Sequence, residues 1–103
     1  MKKLYTDGLV LSDLSVKIAA SDTVTLTDDQ KVPHIAISCS AASKALVLGM
    51  KTGDIALVYN TGDTNAITVK NLATDTGTSL AAGKVAIVVA STTANGTVVT
   101  ALN

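Results

Sequence analysis

The sequence predicts an all-β protein, a small antiparallel sandwich or barrel-like domain of about eight short strands. Three observations carry this expectation. First, the packing residues are Val, Ile, Leu and Ala, with abundant Thr and neither Phe nor Trp. Val, Ile and Thr are stiff at χ1 and sit well on a pleated surface. Second, apolar residues alternate with a period of two in most segments. Third, short turn-forming clusters separate these segments. At 103 residues the chain is one domain, able to bury a core but only modestly stable alone.

The elements follow in order. From Leu9 to Ile18 the alternating pattern is Leu9, Leu11, then Leu14, Val16 and Ile18. Their phase changes across Ser12-Asp13, which reads as a strand with a bulge or bend. Thr23 to Leu26 is a short strand. Thr27-Asp28-Asp29-Gln30 follows as a single helical turn capped by Thr27 or Asp28 and ended by Pro33. His34 to Ser38 is a strand with Ile35 and Ile37 on one face, Ser38 to Ser43 a turn, and Ala45 to Leu48 a strand closed by Gly49. Gly53 to Asn71, GDIALVYNTGDTNAITVKN, reads as a complete β-hairpin. Ile55, Leu57 and Tyr59 form the core-facing set of its first strand, and Ile67 and Val69 that of its second. Thr61-Gly62-Asp63-Thr64 supplies the turn, with glycine for positive φ. Thr74 to Ser79 is a loop. Lys84 to Ala90 is a strand with Val85, Ile87 and Val89 in phase, and Thr97 to Leu102 is the last. No long repeat is visible.

The second face of the later strands is also apolar. Ala56 and Val58 lie opposite Ile55 and Leu57, and Ala86, Val88 and Ala90 lie opposite Val85, Ile87 and Val89. An antiparallel sheet with one wet face carries polar residues there. Covering loops would explain a second apolar face, and so would an intersubunit contact. So short a chain has little spare mass to cover both faces, which makes Ala56, Val58, Ala86, Val88 and Ala90 candidates for a subunit interface.

Charge narrows the function. The net charge is zero, with every base a lysine and every acid an aspartate. Lack of arginine, of any basic run and of stacking aromatics argues against nucleic-acid binding. No apolar run reaches the roughly 20 residues of a membrane helix, and Thr6-Asp7-Gly8 interrupts any apolar leader after the opening lysines. The lone Cys39 forms no internal disulfide and fits a reducing compartment at synthesis.

Chemistry is sparse. His34 and Cys39 stand five apart on one strand and so point to opposite faces, against a nucleophile–base dyad. No serine occupies a G-x-S-x-G elbow. Asp28-Asp29 reads as capping or solvated charge. One His and one Cys are too few for the usual zinc sets, Asp22, Asp28 and Asp29 lack EF-hand spacing, and Gly83-Lys84 is followed by Val85 rather than the Ser or Thr of a phosphate loop. The expectation is a non-enzyme with no cofactor and no metal site.

Three segments carry a resemblance: TVTLTDDQ at Thr23–Gln30, TGDIALVYNTGDTNAITVKN at Thr52–Asn71, and GTSLAAGKVAIVVAS at Gly77–Ser91. Their order resembles the head-fibre and capsid-decoration proteins of tailed bacteriophages. In those, a "tLT..Q" segment precedes a "G..v.vyN.g...itVk" hairpin and an "l.aGk.a.l" strand. The likeness spans Thr23 to the end of the chain.

It implies an all-β virion protein, often a homotrimer, with Asn60, Gly62, Val69 and Gly83 in structural roles and no catalytic residue. It leaves residues 1–22 of the single domain as an arm for attachment or strand exchange, with Lys2, Lys3, Leu4 and Tyr5 as capsid-attachment candidates. The implied function is decoration: binding the major capsid protein lattice on the outer head surface, after assembly in the host cytoplasm, and stabilising the shell. The alternatives are a head or tail fibre module and a host-surface or carbohydrate-binding module. Against the last, only Tyr5 and Tyr59 could serve as a sugar platform, and Tyr59 falls in the core-facing phase.

Overall fold

Alternating strands commit one face to a core, and here two sheets share it. The computed structural model describes residues 15–90 and the backbone of 97–101. Nine strands are present among these residues: β1 Ser15–Ala20, β2 Val24–Thr25, β3 His34–Cys39, β4 Lys44–Val47, β5 Ile55–Asn60, β6 Ile67–Lys70, β7 Thr78–Leu80, β8 Val85–Ala90 and β9 Thr97–Ala101. They form a five-stranded sheet, β1-β3-β5-β8-β9, and a four-stranded sheet, β2-β4-β6-β7. The all-β character holds, but neither sheet is purely antiparallel or closed. Pairing is parallel for β1 with β3, β3 with β5, β2 with β4 and β4 with β6. Antiparallel pairing is confined to β5–β8, β8–β9 and β6–β7.

Period-two alternation places side chains on a face but is silent about strand direction, so parallel and antiparallel neighbours look alike in the sequence. The chain crosses from one sheet to the other after each of β1 to β5. The result is three stacked rungs: β1 with β2, β3 with β4, and β5 with β6. His34 pairs with Leu57 and Lys44 with Ile67, the same 23-residue step in both sheets. The earlier step is 19 residues in one sheet and 22 in the other, because the second rung has a longer turn through Ser40–Ser43. Ser43 adopts φ 61° within it. The long repeat that the sequence did not reveal is therefore present in the backbone. The rungs share turn and strand geometry rather than residue identity.

Gly53–Asn71 is accordingly not a hairpin. β5 and β6 lie in different sheets, and Thr61–Asn65 makes the corner between them. The fully buried Asn60 holds that corner. Its Nδ2 donates to the carbonyls of Asn65 and Leu80, both at 3.0 Å, and its Oδ1 accepts from Gly62 N at 3.0 Å. Gly62 is not among the residues with positive φ. A Cβ there would stand 3.2 Å from Asn60 Oδ1, so glycine leaves room for the amide. Thr78–Leu80, at the end of the expected loop, is a strand that pairs with β6.

Other local readings hold. The turn at Asp28–Gln30 is a 3-10 helix entered through Thr27, whose N–H donates to Gln30 Oε1 at 3.0 Å. Ile35, Ile37, Ile67 and Val69 are buried. One apolar cluster draws on both sheets, from Leu26, Leu46, Leu48, Ile67 and Leu80 on one side to Ile35, Ile37, Val58 and Val88 on the other. Residues 9–14, where the bend was expected, lie outside the described residues. Of the expected arm 1–22, Ser15–Ala20 is an integral strand of the five-stranded sheet.

Candidate assembly surface

The phase of β5 and β8 is the reverse of the expected one. Ala56, Val58, Ala86, Val88 and Ala90 are 0–3% exposed and belong to the core between the sheets. As interface candidates they are corrected: the opposite sheet of the same chain already covers them. Ile55, Leu57 and Tyr59 face outward, 54%, 39% and 37% exposed. The four-stranded sheet meets this inner face with Leu46, Leu48, Ile67 and Leu80, and β3 adds Ile35 and Ile37 to the same core. Beside them β5 and β8 contribute their smaller side chains and turn the larger ones outward.

The outer face of the five-stranded sheet can be read from the pairing. Ile55 stands opposite Val89, Leu57 opposite Ile87 and Tyr59 opposite Val85. On the other side of β5, His34 pairs with Leu57 and Ala36 with Tyr59. β1 completes these rows, with Ser15 beside His34 and Lys17 beside Ala36. Across β5 and β8 the face is thus aliphatic with one phenol ring, and it becomes polar toward β1. Ser15 Oγ and His34 Nδ1 share a hydrogen bond of 3.0 Å there. Asp54 and Lys84, one residue before Ile55 and Val85, fall in the opposite phase to this face. Of the four large apolar residues exposed among the described residues, three lie on this face; Leu72 is the fourth.

Other groups are placed as follows. Cys39 is a buried free thiol, while His34 is half-buried on the outer face, so the structure does not bring them together. An open groove of about 400 Å³ is lined by Asp28, Lys31, Gly49, Met50, Lys51 and Asp54. Within its lining, Lys31 Nζ lies 3.2 Å from Asp28 Oδ1 on the same turn. Asp22 is drawn below the usual carboxylate range by the Thr23 N–H and by Lys44, whose Nζ lies 3.2 Å from Asp22 Oδ1. Among the described residues no three His, Cys, Asp or Glu side chains gather as a metal site. Lys2, Lys3, Leu4 and Tyr5 lie outside the described residues.

The structural asparagines were the signal least visible in the sequence. Asn60 appeared as a turn former but acts as a buried bracket. Asn71 does the same at the opposite corner, accepting from Met50 N at 2.7 Å and donating Nδ2 to Met50 O at 3.1 Å. A polar residue closing an apolar alternation just before a turn is the sequence mark of such a bracket. Comparison of the chain with protein-family models, curated proteins and solved structures finds no match.

Proposed function

We propose that this chain is a structural protein of a phage virion, a capsid decoration protein that binds the outer head surface as an oligomer and stabilises the shell. The observation that carries the reading is the outward Ile55–Leu57–Tyr59 face on a small, rigid, two-sheet body. A contiguous apolar patch of this kind marks a contact surface, and it agrees with the structural role implied by the resemblance. That resemblance implies a homotrimer on the major capsid lattice. Many identical weak contacts on a lattice hold through avidity, so modest patches suffice.

Co-sedimentation with empty and expanded phage heads tests the reading. Saturable binding that raises the temperature of shell disassembly is the expected result; failure to bind any head overturns it. A second reading, a host-surface or carbohydrate-binding module, gains from the exposure of Tyr59, which offers an aromatic face to a sugar ring. A specific hit on a glycan array, lost in Tyr59→Ala, would favour that reading instead.

A further inference from the structure

We propose that the groove between the 26–33 and 48–54 corners of the stack binds a small zwitterion, with ammonium and carboxylate close together as in a free α-amino acid. Both corners carry the chain from the four-stranded sheet back to the five-stranded one. The groove has a volume of about 400 Å³ and is lined by Asp28, Lys31, Gly49, Met50, Lys51 and Asp54. Sites for small molecules span roughly 300–1,000 Å³. The backbone of this one is held from both sides. Asn71 brackets Met50, and Gly49 N donates to Asn71 O at 2.7 Å. Gly53 N donates to Ala90 O at 2.9 Å, and Asp54 O accepts from Ala90 N at 3.0 Å. Lys31 lies along Gly49, where a Cβ would stand 3.5 Å from its Nζ.

Charge decides the class of ligand. Two aspartates and two lysines line the groove, so it favours neither a plain cation nor a plain anion. Lys31 and Asp28 already pair at 3.2 Å. Asp54 and Lys51 make no ion pair or side-chain hydrogen bond with any described residue. They are nevertheless neighbours. Asp54 N donates to Lys51 O at 3.0 Å across a tight turn with Gly53 at φ 92°, which sets their Cα atoms within about 7 Å. The half-buried Asp54 carboxylate calls for a cationic partner, and the exposed Lys51 beside it for an anionic one. One small zwitterion meets both demands, its ammonium on Asp54 and its carboxylate on Lys51. Met50 adds an apolar part to the lining for an aliphatic side chain. None of the outward residues of β3, β5 and β8 lines the groove, so this site stands apart from the assembly face.

Amide NMR titration of the full chain with L-leucine tests this. Two partly exposed ion pairs give weak binding, with a Kd on the order of 1 mM. Saturable shifts of the Gly49 and Gly53 amide signals are expected, while Gly62, outside the groove, stays in place. Isocaproate lacks the ammonium and leucinamide lacks the carboxylate; each should bind at least about threefold more weakly than leucine. Lys51→Gln and, independently, Asp54→Asn should weaken leucine binding by a similar factor and leave the far-ultraviolet circular dichroism unchanged. Asp63→Asn, outside the groove, should bind leucine as the wild type does. No saturable shift up to about 50 mM leucine overturns the proposal. Equal binding of isocaproate overturns it in favour of a plain anion contact, and equal binding of leucinamide in favour of a plain cation contact. A folded Lys51→Gln chain that binds leucine undiminished overturns it as well, whether or not Asp54→Asn folds.

Discussion

Asn60 does with one amide what a hairpin would have done with a ladder of backbone bonds. Its side chain makes three hydrogen bonds in a site without solvent. Asn60→Leu takes the amide partner from the Asn65 and Leu80 carbonyls and the Gly62 N–H, at a cost of about 1–3 kcal/mol for each group left unpaired. The expected outcome is a loss of at least about 2 kcal/mol by urea unfolding. Two glycines offer a matched contrast. Gly77 and Gly83 have φ 75° and 77°. A Cβ at Gly77 would lie 2.7 Å from Thr68 Cγ2 and 2.9 Å from Val69 O, whereas none would crowd Gly83. Gly83→Ala should cost about 1 kcal/mol for the left-handed backbone alone, and Gly77→Ala clearly more, measured in the same unfolding assay. Asp22 gives a pH signature. Its carboxyl is held below the ordinary 3.8 by the Thr23 N–H and Lys44. A depressed acid contributes stability above 3.8 that fades as pH falls through the folded value. Thermal unfolding of wild type and Asp22→Asn should therefore differ above that pH and converge below it. A constant difference down to strong acid would refute the assignment.

At the scale of elements, the strands were legible and their orientation was not. Ile35, Ile37, Ile67 and Val69 point inward as expected because each alternates with Thr, Ser, Lys or Ala, so size and burial agree. In β5 and β8 both faces are apolar, and choosing the larger set as core is the natural error. The deciding fact is which side the opposite sheet covers, and period-two alternation does not contain it. The same holds for pairing. Asn60 and Gly62 marked a turn, but a turn that reverses a strand within a sheet and one that passes it to another sheet use the same residue types. The apolar surface was foreseen in kind, a second apolar face needing cover, while its residues were assigned to the wrong side. The reversed phase makes a prediction. Ala86→Leu adds volume beside Val58 and Val88 in a filled interior and should cost about 1–3 kcal/mol. Val85→Leu, its outward neighbour, should change stability by less than about 0.5 kcal/mol. Equal effects from the two substitutions would restore the opposite phase.

For the whole molecule, the stack of rungs is the organising fact. Each rung touches its neighbours, and the step from the second to the third is 23 residues in both sheets. Stability in such a stack is close to a sum of rung and interface terms. A duplicated rung should therefore insert without disturbing the rest, provided the step is kept. Repeating residues 34–56 directly after Ala56 joins Ala56 to a second His34. Inward Ala56, outward His34 and inward Ile35 then continue the alternation of β5 without a break. The enlarged chain should fold cooperatively, with more strand signal by circular dichroism and a melting temperature no lower than the parent. Repeating residues 35–56 instead, one residue fewer, joins Ala56 directly to Ile35. That slip turns Ile35, Ile37 and Leu46 to solvent and their polar neighbours to the core. The shorter duplication should fail to fold or expose its insert to proteolysis. If the two duplications behave alike, the rungs are not interchangeable units, and stacking by a fixed step is not what holds this protein together.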